Sequence, residues 1–408
     1  MAIDTKWWEN LDGEWQAVFI KNTQSTPNHS DFFQKIAALT TINFNLHLGY
    51  DSYCGITKLD PLRELHNLQV LDCVDMGIKT LEPLSGLKKL TKLTIIRTAV
   101  QSLTPLEGLE NLVELNCPVH KISDLSPVAG LKNLVKLDCS STQIDSLSPL
   151  RACANLEYLN CYGTVVQNLE PLRSLKKLKI LQISSLAVED LSPIGDCKNL
   201  LELNLDATKV TDLTALQNLT NLTHLSFIFS PIKDFYPLSK LSNLKLLQCN
   251  GTAIQNLAPL SALKKLQRLD CSNTLISDLS PLQNLKKLVA LSFADTKITN
   301  LNGLEKLTNL RELQCSNTAI SSLAPLVELK KLQRLYCDNT NINDLSPLQN
   351  INSLEEFFCS NTKISSLKPL HSLTKLGYLD CSGTAISQEE KRELIAALPK
   401  CFIPGEGK

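Results

Sequence analysis

Cysteine is the residue type in this sequence with the most obvious potential for chemistry. The chain of 408 residues contains 14 cysteines, an even number that suggests disulfides or bound zinc. No C-x-x-C pair is present, although such pairs are the usual zinc-binding spacing. Instead, ten cysteines recur at one place in a 22-residue period, where Ile, Leu or Phe stand in other periods: Cys73, Cys117, Cys139, Cys161, Cys249, Cys271, Cys315, Cys337, Cys359 and Cys381. We therefore interpret them as small core hydrophobes.

Histidines, carboxylates and glycines do not form a catalytic motif. None of the six histidines lies at a motif spacing from a cysteine, serine or carboxylate. Carboxylates such as Asp138 and Asp270 share a place in the period but lie several periods apart, too far for an acid–base pair. No glycine-rich loop follows a strand and opens a helix. The sequence predicts no enzyme, no cofactor and no metal site.

A 22-residue repeat determines the secondary-structure elements on which the cysteines and carboxylates lie. Fourteen coils of 22 residues run without insertion or deletion from Leu68 to Lys375. In every coil, positions 1, 4, 6, 11, 14, 17 and 20 hold only Leu, Ile, Val, Phe or Cys. Positions 4 and 6 alternate as in a strand, whereas positions 14, 17 and 20 recur every three residues, as in a 3-10 helix. Each coil is therefore predicted to be a short strand, a turn and a compact helical return.

Stacking of the coils follows from their apolar content. One coil cannot bury seven apolar side chains alone, but neighbouring coils bury them together. Their strands must then be parallel and ~4.8 Å apart. Because strands pack more closely than the returning segments, the stack is predicted to curve, with the strands on its concave face. The predicted fold class is a single-domain α/β solenoid with short 3-10 or helical segments on the convex side.

Both ends of such a solenoid need a cap, because the terminal coils would otherwise expose core side chains. Residues 1–38 contain two apolar helical faces and are predicted to form a helical N-terminal cap. The repeats are predicted to span 39–386: an irregular coil precedes the fourteen regular ones, and a partial fifteenth coil begins at Leu376 and runs into the C-terminal cap. Ser387 and Glu390 form an S-x-x-E capping box, which opens a C-terminal cap over 387–408, a helix followed by a short strand.

The coil pattern resembles a known family. The segment Leu310-Arg-Glu-Leu313-Gln-Cys315-Ser-Asn-Thr318-Ala-Ile320 and the following x-Pro-Leu-x-x-Leu return resemble bacterial leucine-rich repeats of the short, 22-residue internalin-like or SDS22-like class. The resemblance implies a right-handed, curved horseshoe that binds other proteins, usually with its concave face. One feature departs from the family: position 9, usually Asn, is Thr in eleven of fifteen coils. Thr has a single hydroxyl, so we expect it to contribute less bonding between coils.

The predicted concave face indicates where a partner would bind. Positions 3 and 5 point outward from the strands, with positions 7 and 8 beside them, and most of these residues are polar. Apolar exceptions on such a surface are typical of binding sites, although strand propensity alone also places Tyr and Phe on sheets. One cluster of exceptions consists of Tyr158, Tyr162, Ile180, His224, Ile228 and Phe229. A second cluster, mixing aromatics with arginine as interface hot spots do, consists of Arg311, Arg334, Tyr336, Phe358 and Tyr378.

Composition and charge narrow the class of partner. Lys+Arg and Asp+Glu both number 41, so the chain lacks the basic footprint of a nucleic-acid binder. No stretch approaches the ~20 consecutive apolar residues of a membrane helix. The sequence therefore predicts a module that binds a protein or peptide partner, with no nucleic acid and no membrane insertion. Its oligomeric state and the identity of the partner stay open.

Localisation is predicted from the cysteines and the first residues. The start of the chain shows no basic segment followed by an apolar one, so no signal peptide is predicted. A ladder of neighbouring thiols would be a hazard in an oxidising compartment, which favours the cytoplasm. Two alternatives stay open: a secreted or surface-displayed, internalin-like host-interaction protein exported without a recognisable signal, and a regulatory subunit that presents a partner enzyme such as a phosphatase.

Overall fold

The structure, a computed structural model, describes residues 3–44, 55–119 and 121–405. It divides into two compact units, residues 1–204 and 205–408, each built from the same coil. The predicted limits of the caps and of the repeats stay predictions. Three predicted ranges extend beyond the described residues: the N-terminal cap at 1–2, the repeats at 45–54 and 120, and the C-terminal cap at 406–408.

The first unit begins with short helices and continues with strands that alternate with 3-10 helices. Its α-helices are α1 (Thr5–Glu9), α2 (Gly13–Thr23) and α3 (Phe32–Ala37). Its strands are β1 (Thr41–Asn43), β2 (Val70–Val74), β3 (Lys92–Ile96), β4 (Glu114–Asn116), β5 (Lys136–Asp138), β6 (Tyr158–Asn160), β7 (Ile180–Gln182) and β8 (Glu202–Asn204). Its 3-10 helices are Asp60–Glu64, Glu82–Leu84, Thr104–Leu106, Ser126–Gly130, Ser148–Ala152, Glu170–Ser174 and Ser192–Asp196.

The second unit repeats the alternation and ends with a helix. Its strands are β9 (His224–Ser226), β10 (Leu246–Gln248), β11 (Arg268–Asp270), β12 (Ala290–Ser292), β13 (Glu312–Gln314), β14 (Arg334–Tyr336), β15 (Glu356–Phe358) and β16 (Tyr378–Asp380). Its 3-10 helices are Thr214–Leu216, Tyr236–Lys240, Ala258–Ala262, Ser280–Leu282, Ala324–Leu326, Ser346–Leu348 and Lys368–Leu370. The terminal helix is α4 (Gln388–Ala397), which Ser387 caps by accepting the N–H of Glu390.

Strands of each unit are parallel and follow one another in chain order, with equivalent positions opposite each other. Leu137 of β5 lies opposite Leu159 of β6, and Leu313 of β13 lies opposite Leu335 of β14. Because the register never slips, one side of every strand is always the core side. Parallel strands, 3-10 returns and helical caps confirm the predicted leucine-rich-repeat fold.

The core of each unit consists of the periodic apolar positions. Every residue at positions 1, 4, 6, 11, 14, 17 and 20 of the fourteen regular coils is at most 2 % exposed. The cysteines among them are buried free thiols, which confirms their interpretation as core residues. At position 6 several thiols also donate to a carbonyl of the next coil, as Cys249 Sγ does to Asp270 O at 3.1 Å.

The turn after each strand depends on positions 8 and 9. From residue 68 onward, position 8 has a positive φ, between +50° and +71°, in all fifteen coils. At position 9, ten of the eleven Thr hydroxyls donate to the position-6 carbonyl of their own coil, as Thr274 does to Cys271 O at 2.6 Å. The family's inter-coil bonding by Asn is thus replaced by a bond inside the turn. Neighbouring coils are joined by main-chain hydrogen bonds. For example, the Cys271 N–H donates to Ser292 O of the next coil at 2.9 Å.

The 3-10 helices begin at a fixed polar side chain. At position 13 an Asp, Asn, Ser or Thr accepts the N–H of position 15, as Asp278 Oδ1 does from Ser280 at 2.8 Å. Hydrogen bonds from the side chain and the backbone of Ser280 hold the pKa of the Asp278 carboxyl below its ordinary value. This bond fixes where each return starts.

The N-terminal aromatics form a packed cap. Trp15 stacks on Phe19 with ring centroids 5.4 Å apart, and its indole N–H donates to Lys58 O at 3.1 Å. Trp8 meets Phe32 edge to face at 4.9 Å. All four rings are buried, so they cover the start of the core instead of forming an exposed docking surface. No helix among the described residues is long and apolar enough to cross a membrane.

Candidate protein-binding surface

Each strand turns alternate side chains to opposite sides of its sheet. On β11, for example, Leu269 at position 4 is buried, whereas Arg268 and Asp270 at positions 3 and 5 reach solvent. We call the solvent side, formed by positions 3, 5 and 7, the strand face. This is the surface that the sequence predicts to be concave and to bind a partner.

Three residues of the first predicted cluster lie in the first unit. Tyr158 begins β6 and lies opposite Ile180 at the start of β7, and both side chains are half-buried. Burial, reinforced by Asp138, raises the pKa of the Tyr158 hydroxyl. Tyr162, at position 7, is 46 % exposed. Tyr158 and Ile180 therefore form a small apolar pair, and Tyr162 extends from the turn that follows β6.

The other three residues of this cluster lie in the second unit. His224 begins β9 opposite Leu246, and its Nδ1 lies 2.9 Å from Thr223 Oγ1. Ile228 is half-buried, and its N–H donates to Asp206 Oδ1 at 2.8 Å. Phe229, at position 8, is 64 % exposed. These residues give β9 and its turn an apolar edge that ends in one exposed ring.

The backbone of Phe229 is strained. Its φ is +54°, a left-handed conformation that costs an L-residue ~1–2 kcal/mol and is unusual for a bulky one. In most other coils Asn, Asp, Ser or Gly stands at this position. The ring lies over Gly251, where a methyl group would overlap it. An exposed aromatic held in a strained turn is a feature found at functional sites.

The second predicted cluster forms a ladder of rings in the second unit. Tyr336 and Phe358 are opposite each other on β14 and β15, with ring centroids 4.7 Å apart and planes 15° from parallel. Phe358 and Tyr378 follow at 4.9 Å, and Tyr378 and Phe402 at 5.9 Å. We call these four residues the aromatic ladder. It places three half-buried rings and one that is 47 % exposed on the strand face.

Phe402 is the member of the ladder that the sequence-based site prediction missed. It forms a parallel bridge with Tyr378, and its N–H donates to Gly377 O at 2.9 Å. Its neighbours Cys401 and Ile403 are buried, so the three residues alternate as a strand does. That alternation was the available signal that Phe402 belongs to a short strand.

The two predicted arginines occupy different places. Arg334 lies at position 3 of β14 and contacts Glu312 of β13, with Nη2 and Oε2 3.4 Å apart. Arg311 is exposed and precedes β13 by one residue, at position 2. Its carbonyl accepts the N–H groups of Gln333 and Arg334. Arg334 therefore belongs to the strand face beside the ladder, whereas Arg311 lies outside the strand.

Acidic side chains flank the first ring of the ladder. The hydroxyl of Tyr336 donates to Glu356 Oε2 at 3.4 Å. Burial, and then the charges of Glu356 and Glu312, raise the pKa of this hydroxyl. Tyr336 therefore stays neutral near pH 7 and offers a ring with an uncharged hydroxyl.

Buried thiols offer no reactive site. Burial raises the pKa of Cys161 to about 12 and that of Cys153 to about 11, so both are protonated at neutral pH and inert as nucleophiles. Among the described residues, no three His, Cys, Asp or Glu side chains are grouped so that they could hold a metal ion.

Comparison with known proteins agrees with this fold. A family model described as leucine-rich repeats (2 copies) matches residues 110–152, 242–284, 264–306 and 308–350. A search of curated proteins gave no match. Among solved structures, an internalin, InlF, from Listeria monocytogenes is 27 % identical with a TM-score of 0.70, over 74 % of this chain and 88 % of that one. The chain thus has the leucine-rich-repeat fold and is similar to a bacterial internalin.

Two further structures share the fold. A leucine-rich-repeat protein of Leptospira interrogans is 24 % identical, with a TM-score of 0.83 over 91 % of this chain and 96 % of that one. The functional domain of InlJ from Listeria monocytogenes, described as including a cysteine ladder, is 23 % identical, with a TM-score of 0.72 over 83 % and 72 % of the two chains. A fold of this kind is typically a scaffold that binds other molecules on its extended strand surface.

Proposed function

We propose that this chain is a protein-interaction module that binds a protein or peptide partner on its strand face. The aromatic ladder is the observation that supports this proposal most directly. Its rings reach solvent on a surface that is mostly polar, and aromatics beside an arginine are the typical composition of an interface hot spot.

The rigidity of the ladder favours tight binding. Each ring is held by a strand or a bridge and by stacking at 4.7–5.9 Å on its neighbours. Side chains that are already ordered lose little conformational entropy when a partner binds. A pre-organised row of rings therefore yields more net affinity than the same side chains on a mobile loop.

Capture of partners by immobilised full-length chain tests this proposal. Extracts of the source organism are passed over wild type, Tyr336→Ala and Phe229→Ala, and bound proteins are quantified by mass spectrometry. Tyr236→Ala is the matched control, because Tyr236 is 73 % exposed but begins a 3-10 helix instead of lying on a strand. We expect at least one protein whose capture falls about tenfold or more with Tyr336→Ala or Phe229→Ala and is unchanged with the control. Identical profiles for all variants would contradict the proposal.

We also propose that the protein works in the cytoplasm. The support is the stack of thiols at position 6, which neighbour one another from coil to coil, as Cys337 does Cys315 and Cys359. Such an arrangement is safest where thiols stay reduced.

The similarity to an internalin favours a second candidate, a secreted or surface-displayed protein that binds host proteins. Fractionation of cells and medium separates these two proposals. Recovery mainly in the medium or on the cell surface would contradict the cytoplasmic one.

A further inference from the structure

A depression of about 360 Å³ lies on the strand face of the second unit, between β10 and β14. Ala290 and Ser292 of β12 make its floor low, because their side chains are small. Tyr336 closes one end. Gln314 of β13 lies opposite Tyr336 of β14. Its side chain bends back toward its own strand, because its Oε1 accepts the N–H of Ser316 at 3.1 Å.

The depression reaches a ring face that the ladder leaves uncovered. One face of Tyr336 stacks on Phe358, and the ring also lines the depression, so its other face is open to a ligand. The face of a tyrosine ring attracts cations, and a guanidinium lies flat on it. Glu312 lines the same end of the depression. Glu312 makes a single ion pair with Arg334, and both side chains are partly exposed. Because exposed ion pairs of this kind contribute little stability, Glu312 is able to bind a second cation.

The other end of the depression carries Arg268 and Asp270. Arg268 of β11 and Glu312 of β13 both stand at position 3 of their coils, two strands apart. Arg268 is exposed and lines the depression. Its side chain makes no ion pair or hydrogen bond with any residue that the structure describes. Asp270, on the same strand, accepts the N–H of Ser272 at 3.0 Å. Two strand spacings separate Arg268 from Glu312 by about 10 Å, so the floor lies between a free cation and a carboxylate.

We propose, on the basis of the strand-face function above, that this depression binds an extended peptide segment of the partner that carries an arginine and an acidic residue three positions apart. The arginine stacks on Tyr336 and pairs with Glu312, and the acidic residue pairs with Arg268. In a polyproline-like peptide, residues three apart lie on one side and about 9 Å from each other, which matches the spacing of the two ends. The small floor residues leave room for the two residues between them.

A peptide display library tests the inference without a known partner. Random twelve-residue peptides are selected on the full-length chain and counter-selected on Tyr336→Ala. We expect the selected peptides to share Asp or Glu three positions from Arg, in either chain direction. Replacing that arginine by citrulline, which is uncharged and of the same shape, is expected to weaken binding about tenfold in fluorescence anisotropy.

Charge reversal gives a readout that a merely structural role would not produce. Arg268→Glu is expected to weaken binding of a selected peptide about tenfold. Replacing the acidic residue of that peptide by lysine is expected to restore its affinity for the Arg268→Glu variant. Glu312→Gln is expected to weaken the peptides that contain arginine and to leave their citrulline forms unchanged. Val165→Ser, at an exposed site in another turn, is the control and should change neither.

The outcomes separate this inference from the proposed function. Selected peptides without the charged pair, a failure of reversal to restore binding, or no peptides that depend on Tyr336 would overturn the inference. Self-association of the chain through this face, seen by light scattering and lost in Tyr336→Ala, would overturn it as well. If proteins are still captured in a Tyr336-dependent way, the proposed function stands without the charged-pair motif. If that capture is also absent, both fail.

Discussion

Phe229 and the aromatic ladder place apolar rings on the second unit in opposite ways. Phe229 is a single ring, 64 % exposed, on a backbone with φ +54°. Phe358 is half-buried in regular strand geometry, with a ring on either side at 4.7 and 4.9 Å. The fold therefore supports the ladder and tolerates Phe229. A ring that its neighbours stabilise has a structural reason to be present, whereas a ring that costs stability needs another reason.

Removing the centre of the ladder is the change with the largest expected effect. In Phe358→Ala both neighbouring stacking contacts are lost, so partner capture is expected to fall ten- to a hundredfold. The free energy of unfolding is expected to fall by about 2 kcal/mol. Capture by the immobilised chain and urea denaturation measure the two effects. If partner capture depended on Phe229 and not on Phe358, Phe229 and not the aromatic ladder would be the binding surface.

The glycine under Phe229 is expected to give the next largest effect. A methyl group in Gly251→Ala would overlap the Phe229 ring and would also require a non-glycine residue at φ +71°. We expect a loss of about 2–3 kcal/mol of unfolding free energy.

Gly163→Ala is the matched control for this change. Gly163 has the same position in its coil and φ +63°, with only ordinary contacts around an added methyl group. It should lose about 1 kcal/mol. In the double variant Phe229→Ala/Gly251→Ala, most of the excess loss should disappear, as a double-mutant cycle would show. Equal losses for the two glycines would show that the ring does not press on Gly251.

The core could be predicted from the sequence because stacking allows no exception. A polar residue at position 4 or 6 would be buried against both neighbouring coils, so all fourteen coils keep the same period. The left-handed position 8 was harder to recognise. Val119 and Phe229 stand there as well as the Asn, Asp and Gly that tolerate a positive φ, because the surrounding turn imposes the conformation.

The candidate surface could be predicted only in part, because exposure and strand order decide it. Arg311 was grouped with Arg334 by composition, but position 2 precedes the strand. Phe402 lies beyond the last repeat, so the 22-residue period says nothing about it. Its place in the ladder depends on the return of the chain from α4 to the edge of β16, a long-range contact that no local pattern encodes.

Relieving the strain at Phe229 is expected to have a smaller effect of the opposite sign. Asn tolerates a positive φ and stands at this position in several coils, so Phe229→Asn should raise the free energy of unfolding by about 0.5–1 kcal/mol. Urea denaturation measures the gain. A loss instead would mean that the contact of the ring with Gly251 outweighs the backbone strain. Reduced partner capture together with the gain in stability would show that Phe229 is kept for binding.

The smallest expected effect concerns the hydroxyl of Tyr336. Its pKa is raised above the ordinary 10.0 by burial and by Glu356, so the folded state keeps the proton more tightly than the unfolded state does. The contribution to stability is therefore complete below pH 10 and is lost as the pH rises through the folded pKa.

Tyr336→Phe keeps the ring, so the variant should capture partners nearly as wild type does at pH 7. It should also lose less stability than wild type as the pH rises above about 10. Urea denaturation at each pH measures the difference, and identical pH profiles would show that the ladder is insensitive to this hydroxyl. A large loss of capture at pH 7 would mean that the partner binds the hydroxyl of Tyr336 as well as its ring.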